Sequence, residues 1–360
     1  MAAYKTRLTK LFSILMITLI IFTALRDASI YTNAQLSSRI SVAIIPPIYA
    51  VLLSIAAGDL VSIVNPIPPG VDPHTYEGTP QDIQRALQSD LVVVDVIGHL
   101  PIASKLVEAA KSSGKPYIVL FDELISRGWK PLKKPSGTDN VHIEFSSEAQ
   151  ILVLKIIRDK ILEIARERYD KTSYDVFSYS LNNSVNELID IINSTTSYAK
   201  TIASGLSGVA IYSSVSQYLL YSIGVEPVYV LTEEPEVEPT PQALQNLKNS
   251  GAKCVLFLKG VEEYSDTVIS FLKSEGITPV FVNPREMIML RVPYLVPLVA
   301  AITLKNSCSG EISEKTSPIT SSLGSQQLYM NYVNTIIYAS VIAIVLVLIS
   351  YYFVRRRGRR

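Results

Sequence analysis

The stretch GVDPHTYEGTPQDIQRALQSDLVVV, residues 70–94, contains a loop, a helix and a strand in that order. Thr79 can cap a helix and Pro80 suits the first helical turn. The apolar run at 91–94 is typical of a strand that is buried on both faces. His74 lies in the loop before this helix. The stretch therefore predicts one step of a parallel α/β sheet, with a histidine in the loop between two strands.

The same alternation of short apolar runs and helical patterns occurs in both halves of the chain. In the first half, strands are predicted at 40–47, 60–67, 91–98 and 116–121, with helices at 48–58, 79–89 and 101–114. In the second half, strands are predicted at 208–214, 226–232, 254–260 and 278–284, with helices at 215–224, 240–251 and 262–276. This order predicts an α/β fold of two similar lobes with mainly parallel sheets.

A segment without glycine or proline separates the two halves. Residues 146–203 carry apolar side chains at helical spacing, which predicts one or two long helices that join the lobes. The sequence then divides into an N-terminal metal-binding lobe at 36–172, a linking helix at 173–205, a C-terminal lobe at 206–306 and a Ser/Thr-rich stalk at 307–331.

Both ends of the chain have the pattern of membrane-directed segments. Three basic residues precede an uncharged apolar run, which predicts a signal peptide or N-terminal anchor within 1–35. Residues 332–354 are long and apolar enough for a transmembrane helix, although a buried soluble helix is an alternative. The Arg-rich tail at 355–360 places this end in the cytoplasm by the positive-inside rule. The lobes are therefore expected outside the cell, on a single-pass C-terminal anchor.

The composition argues against several classes of function. The net charge is +1, but eight positive charges lie in the first ten and last six residues, so residues 11–354 carry 1 − 8 = −7. A mildly acidic exterior does not favour nucleic acid as a partner. The chain has no P-loop, HExxH or Gly-x-Ser-x-Gly motif, so we do not expect this protein to be an enzyme. Cys254 and Cys308 show neither metal-type nor disulfide-type spacing.

The chain has only three histidines, and all of them are in the predicted first lobe. His74, His99 and His142 lie in loops or just beyond predicted strands, where open α/β sheets bind their ligands. Histidine is the commonest metal ligand, but it is also a frequent polar loop residue. Position alone leaves both interpretations open for each of the three.

Residues 70–94 resemble a signature of the zinc- and manganese-binding solute-binding proteins of ABC importers, the cluster A-I family. That signature reads Gly-x-Asp-Pro-His-x-Tyr-Glu-x-x-Pro and is followed by a helix and a strand. The segment NVHIEFSSEAQ at 140–150 is similar to the family's Asn-Pro-His-x-Trp-Leu-Asp-Pro segment. The segment EVEPTPQALQNLKNSGAKCVLFL at 236–258 is similar to its Glu-Pro-Ser/Thr-Pro segment. The resemblance extends over residues 40–306.

The resemblance implies two α/β lobes joined by a rigid helix, with a metal ion held between them for delivery to a permease. His74 and His142 match the family's first two metal ligands. The other two ligands do not carry over, because Ser213 stands at the third position and Lys259 or Asn283 at the fourth.

Two histidines alone would make a weak site, since zinc normally takes four ligands. A lysine ammonium such as that of Lys259 beside the ion would oppose binding by roughly 4 kcal/mol. His99 is the reserve nitrogen ligand. Four carboxylates are possible additional ligands: Glu77, Glu144, Glu233 and Glu234. For Glu77 we favour a different role, a charge that stabilises the dipole of the following helix.

The expected function is that of an extracellular, membrane-anchored solute-binding protein that captures zinc or manganese for the permease of an ABC importer. The alternative is a family member that kept the fold without the metal. Such a protein would bind another solute or act as a surface interaction module. Ser213, Lys259 and Asn283 are the reason for considering it.

Overall fold

The structure is a computed structural model that describes residues 39–68, 71 and 73–308. The predicted N-terminal signal or anchor, the transmembrane helix at 332–354 and the Arg tail lie outside these residues. Among the described helices, none is both long enough and apolar enough to span a bilayer.

The first lobe is built on a four-stranded parallel sheet with the strand order β2-β1-β3-β4. Its strands are β1 (Ile40–Ile44), β2 (Val61–Val64), β3 (Leu91–Val94) and β4 (Tyr117–Val119). Its helices are α1 (Pro47–Ala57), α2 (Pro80–Leu87), α3 (Pro101–Ser112) and α4 (Leu120–Ser126). Every residue of β3 is buried, as its unbroken apolar run predicts.

The second lobe repeats this arrangement, with the parallel order β6-β5-β7-β8. Its strands are β5 (Val209–Ser213), β6 (Val230–Thr232), β7 (Cys254–Leu258) and β8 (Thr278–Val282). The helices that follow the long linking helices are α7 (Gln217–Ser222), α8 (Pro241–Asn249), α9 (Asp266–Ser274), α10 (Pro284–Met289) and α11 (Val296–Cys308). The two predicted parallel sheets are thus confirmed. In each sheet the second strand lies on one side of the first strand, and the third and fourth strands lie on the other side. Open α/β sheets bind ligands at the carboxyl ends of the strands where the strand order changes side in this way.

Two helices, α5 (Ser147–Arg168) and α6 (Lys171–Ala203), fill the segment without glycine or proline. They are separate because Tyr169 is extended, with φ −98° and ψ 147°. The Asp170 side chain then accepts hydrogen bonds from two backbone N–H groups and caps α6. Helix α6 has 33 residues and is therefore about 50 Å long.

Residues 129–140 of the first lobe pack directly on the second lobe. Tyr218 in α7 belongs to the apolar core of the first lobe and stacks on Trp129, with ring centroids 5.6 Å apart. Its hydroxyl accepts a hydrogen bond from Leu132 N and donates one to Asn140 O, each at 2.9 Å. The Asn140 amide donates to Ser214 O at 2.8 Å. These contacts hold the first-lobe strand ends close to the second lobe.

A disulfide joins Cys254 and Cys308, although their spacing in the sequence did not indicate one. Cys254 begins β7, and Cys308 ends α11, which packs along α6 and β8. This packing brings the two Cα atoms to 5.6 Å across a sequence separation of 54. Helix α11 also includes residues 307 and 308, which the sequence assigned to the stalk. Its residues Ala300, Ala301 and Leu304 are fully buried in the second-lobe core.

Candidate metal centre

The three histidines come together although they belong to three separate loops. Their potential ligand atoms all lie within 4.8 Å of one another. His74 lies between β2 and α2, His99 between β3 and α3, and His142 just before α5. The ring centroids of His99 and His142 are 4.8 Å apart, and that of His74 is 5.4 Å and 6.4 Å from them. The exposed fraction of the side chain is 24% for His74, 9% for His99 and 2% for His142.

Asp95 orients the His99 ring. It directly follows β3, its side chain is 2% exposed, and its Oδ2 is 2.7 Å from His99 Nδ1. His99 Nε2 is buried and has no hydrogen-bond partner among the described residues. A carboxylate on one imidazole nitrogen, with the other nitrogen left for a metal, is the common arrangement of metal-binding histidines. Asp95 was not predicted as a site residue, although the spacing Asp-x-x-x-His after a strand was a usable signal in the sequence.

The His142 ring lies between two carboxylates. Glu144 Oε1 is 3.6 Å from Nδ1, and Glu234 Oε2 is 3.5 Å from Nε2. Burial lowers the pKa of His142, but Glu144 and Glu234 outweigh burial and raise this pKa to about 9. The hydrogen bond from His142 is also the main reason why the pKa of Glu234 falls to about 2. The two carboxylates thus favour a proton on the His142 ring, and a metal ion that binds this ring has to displace it.

A capping box fixes the loop that carries His74. The Asp82 carboxylate in α2 accepts hydrogen bonds from the Thr79 and Tyr76 hydroxyls, both at 2.5 Å. The Thr79 hydroxyl in turn accepts a bond from Asp82 N. The hydrogen bonds from Thr79 and Tyr76 lower the pKa of Asp82 to about 2. His74 Nδ1 lies 3.9 Å from Oε1 of Glu236, which belongs to the second lobe.

The loop after β6 brings three glutamates of the second lobe to the first lobe. Glu233 accepts a hydrogen bond from Ser136 N at 2.5 Å. Glu234 pairs through Oε1 with the ammonium of Lys134, whose side chain is only 7% exposed. Glu233 and Glu234 were predicted from the sequence as possible ligands, whereas Lys134 was not. The positive charge of Lys134 lies close enough to His142 to lower the pKa of this histidine, against the effect of the two carboxylates.

The three residues at the family's other ligand positions are engaged elsewhere. The Ser213 hydroxyl donates to Glu262 Oε1 at 2.6 Å. The ammonium of Lys259 lies 5.1 Å from the centre of the Phe281 ring. Asn283 caps α10 through its side chain.

Glu77 does not point to the histidines either. Its carboxylate pairs with the ammonium of Lys105 in α3 at 2.5 Å, and this bond lowers the pKa of Glu77. The carboxylate that forms the capping box at the amino terminus of α2 is that of Asp82, so the dipole role of Glu77 stays a prediction.

Comparison with known proteins gives a consistent family assignment. The sequence pattern described as "Zinc-uptake complex component A periplasmic" matches residues 42–286, more than half of the chain. The iron ABC transporter substrate-binding lipoprotein MtsA of Streptococcus pyogenes serotype M1 is 25% identical over 232 residues, which cover 63% of this chain and 73% of MtsA. The manganese ABC transporter substrate-binding lipoprotein PsaA of Streptococcus pneumoniae is 25% identical over 250 residues, 66% of this chain and 77% of PsaA.

Solved structures show the same fold. The SBP FpvC from Pseudomonas aeruginosa, in complex with Mn²⁺, superposes with a TM-score of 0.59 at 18% sequence identity. The match covers 75% of this chain and 99% of FpvC. At this identity the similarity concerns the fold.

Proposed function

Because this chain belongs to the zinc-uptake complex component A family of metal ABC transporter substrate-binding proteins, we propose that it captures a divalent transition-metal ion outside the cell and delivers it to an ABC importer. The role is binding rather than catalysis. His74, His99 and His142 hold the ion in this proposal. The observation that carries it is the convergence of these three rings from three loops.

One buried nitrogen atom supports the proposal. His99 Nε2 has no hydrogen-bond partner among the described residues, and Asp95 holds the other nitrogen of this ring. Leaving a buried polar atom unpaired costs free energy, and a bound cation would remove this cost. Nitrogen ligands about 2.0 to 2.1 Å from a tetrahedral zinc lie roughly 3.4 Å apart. The present spread of 4.8 Å therefore has to contract by about 1.4 Å when the ion binds.

The ligand type favours zinc over manganese. Imidazole nitrogen suits zinc, copper, iron and nickel, whereas manganese prefers oxygen ligands. We therefore expect this site of three imidazoles to bind zinc more tightly than manganese. The relatives named above for iron and manganese show that the fold itself does not determine the ion.

The location outside the cell rests on the terminal segments. The predicted signal or anchor at 1–35 and the predicted transmembrane helix at 332–354 together put the lobes on the outer face. The Cys254–Cys308 disulfide agrees with an oxidising compartment. A tethered binding protein keeps the captured ion at a high effective concentration near its permease.

Metal titration tests the proposal. The full-length chain, purified in a mild detergent and stripped with a chelator, is titrated with zinc and with manganese in a calorimeter. We expect one ion per chain, tighter binding of zinc, and loss of binding when His74 and His142 are replaced by alanine. Lys259→Ala and Asn283→Ala are matched controls at the ligand positions that the resemblance implied, and they should bind normally.

Two results would contradict the proposal. Zinc binding that survives in the double histidine variant would place the ion elsewhere. A folded wild-type protein that binds neither ion would point to a family member that has lost its metal and binds another solute or a surface partner.

A further inference from the structure

We propose that Glu234 is the ligand that the second lobe supplies to the ion, and that Lys134 orients its carboxylate. This inference rests on the proposed function, because it completes the site of the three histidines. It gives the ion three imidazole nitrogens and one carboxylate oxygen, a four-ligand set that zinc accepts. The ligand comes from the loop after β6, not from the positions of Ser213, Lys259 or Asn283.

The first argument is the direction of the Glu234 side chain. Its Oε2 lies 3.5 Å from Nε2 of His142, the most deeply buried of the three histidines. The Glu234 side chain is 47% exposed, so the carboxylate can shift toward the centre of the histidine group without breaking a packed core. The same carboxylate already connects the second lobe with His142 of the first lobe.

The second argument is that the two carboxylate oxygens have different partners. Oε1 pairs with the buried ammonium of Lys134, whereas Oε2 faces His142. Carboxylates that bind metals are themselves held by hydrogen bonds, and these outer contacts fix their orientation. Lys134 can therefore keep Oε1 while Oε2 binds the ion. The positive charge of Lys134 would repel a cation, but Glu234, the ligand that Lys134 positions, neutralises it.

The third argument is that hydrogen bonds fix the backbone of the loop that carries Glu234. The Thr232 hydroxyl lies at 3.1 Å from Tyr212 O and 3.0 Å from Glu234 O, so it ties the start of this loop to β5. A ligand on a fixed backbone needs little ordering when the ion arrives.

Neighbouring carboxylates are less suited to this role. Glu233 is engaged with the backbone N–H of Ser136. Glu236 lies 3.9 Å from His74, farther than the 3.5 Å between Glu234 and His142. Glu144 belongs to the first lobe and faces the other nitrogen of His142. Among the described residues, only Glu234 combines a contact to a histidine with an ion pair that orients it.

The test uses the full-length chain and three substitutions that remove one negative charge each: Glu234→Gln, Glu233→Gln and Glu236→Gln. Zinc affinity is measured by competition with a chromophoric chelator, and circular dichroism checks that each variant is folded. We expect Glu234→Gln to lose at least tenfold in zinc affinity, while the two control variants stay within threefold of the wild type. Lys134→Gln should show a smaller loss, because this residue acts through Glu234.

Cobalt provides a second readout that does not depend on affinity. Bound Co²⁺ in the wild type should show the intense visible bands of a four-coordinate site, and Glu234→Gln should change their position or intensity. If wild-type protein binds zinc and Glu234→Gln matches it in affinity and cobalt spectrum, this inference is wrong and the proposed function stands. A large loss in Glu236→Gln instead would assign the ligand to Glu236. Failure of the wild type to bind zinc would refute the proposed function itself.

Discussion

Replacing Asp95 by asparagine should weaken zinc binding although Asp95 is not expected to touch the ion. In the native protein the carboxylate holds His99 Nδ1 at 2.7 Å and keeps the proton on that nitrogen, so Nε2 presents its lone pair. An asparagine amide can donate to Nδ1, which moves the ring proton to Nε2 and blocks it as a ligand. The negative charge beside the cation is also lost.

Loss of a hydrogen bond that orients a metal ligand usually lowers the metal affinity about 10- to 100-fold. That range corresponds to roughly 1.4 to 2.7 kcal/mol of binding free energy. We expect the upper part of the range for Asp95→Asn, because both side chains are nearly buried and water cannot replace the carboxylate. His99→Ala should cost at least as much, since it removes the ligand itself.

The assay is zinc titration of the full-length chain, with Asp122→Asn as the matched control. Asp122 lies on the exposed side of α4, so this variant loses the same charge without touching His99. Thermal unfolding of each variant without metal separates an effect on stability from an effect on binding. Zinc affinity of Asp95→Asn within twofold of the wild type, with the protein folded, would refute the reasoning.

Three further predictions concern stability. Replacing Cys254 and Cys308 by serine should lower the free energy of unfolding by about 4 kcal/mol, from the loop of 54 residues that the disulfide closes, and unchanged urea midpoints would contradict this. Burial raises the pKa of Glu262 from 4.5 to about 7 despite its hydrogen bonds. Protonated Glu262 therefore contributes to the free energy of unfolding fully below pH 4.5, and this contribution is lost as the pH rises through 7. The wild type should therefore lose about 3 kcal/mol relative to Glu262→Gln between pH 4.5 and 8, and parallel stability curves would rule this out. Gly78→Ala should destabilise the fold and weaken zinc binding, because φ is +73° and the new Cβ would lie 2.7 Å from a side chain of α3. Gly114→Ala, at a positive φ in open space, should affect stability less and leave zinc binding intact, and equal effects of the two variants would show that the contact is unimportant.

The sequence predicted most of the fold because the relevant signals are local. The run at 91–94 has no polar residue, so it had to be a strand covered on both faces. The segment 146–203 lacks helix breakers, and it is helical apart from the break at Tyr169. The disulfide escaped prediction because it depends on the path of α11 along the second sheet, which no local pattern encodes.

The candidate site was predictable only in part. The three histidines were found because the chain has no others, and because the motif around His74 is dense. Lys134 and Glu234 are 100 residues apart, so their ion pair depends on how the two lobes meet. Ser213 and Asn283 differ from the family's ligands, and the structure gives each a local role in hydrogen bonding instead.

Helix α11 has a consequence for biosynthesis. It covers α6 and β8 with Ala300, Ala301 and Leu304, yet it is the last described helix of the chain. In the export that we propose, amino terminus first, the chain exposes this apolar surface until residues 296–308 have crossed the membrane. The sheet of the first lobe is complete well before that moment, whereas the core of the second lobe is complete only when α11 has packed on it. We therefore expect the exported chain to be most prone to aggregation in the interval between the emergence of β5 and that of α11.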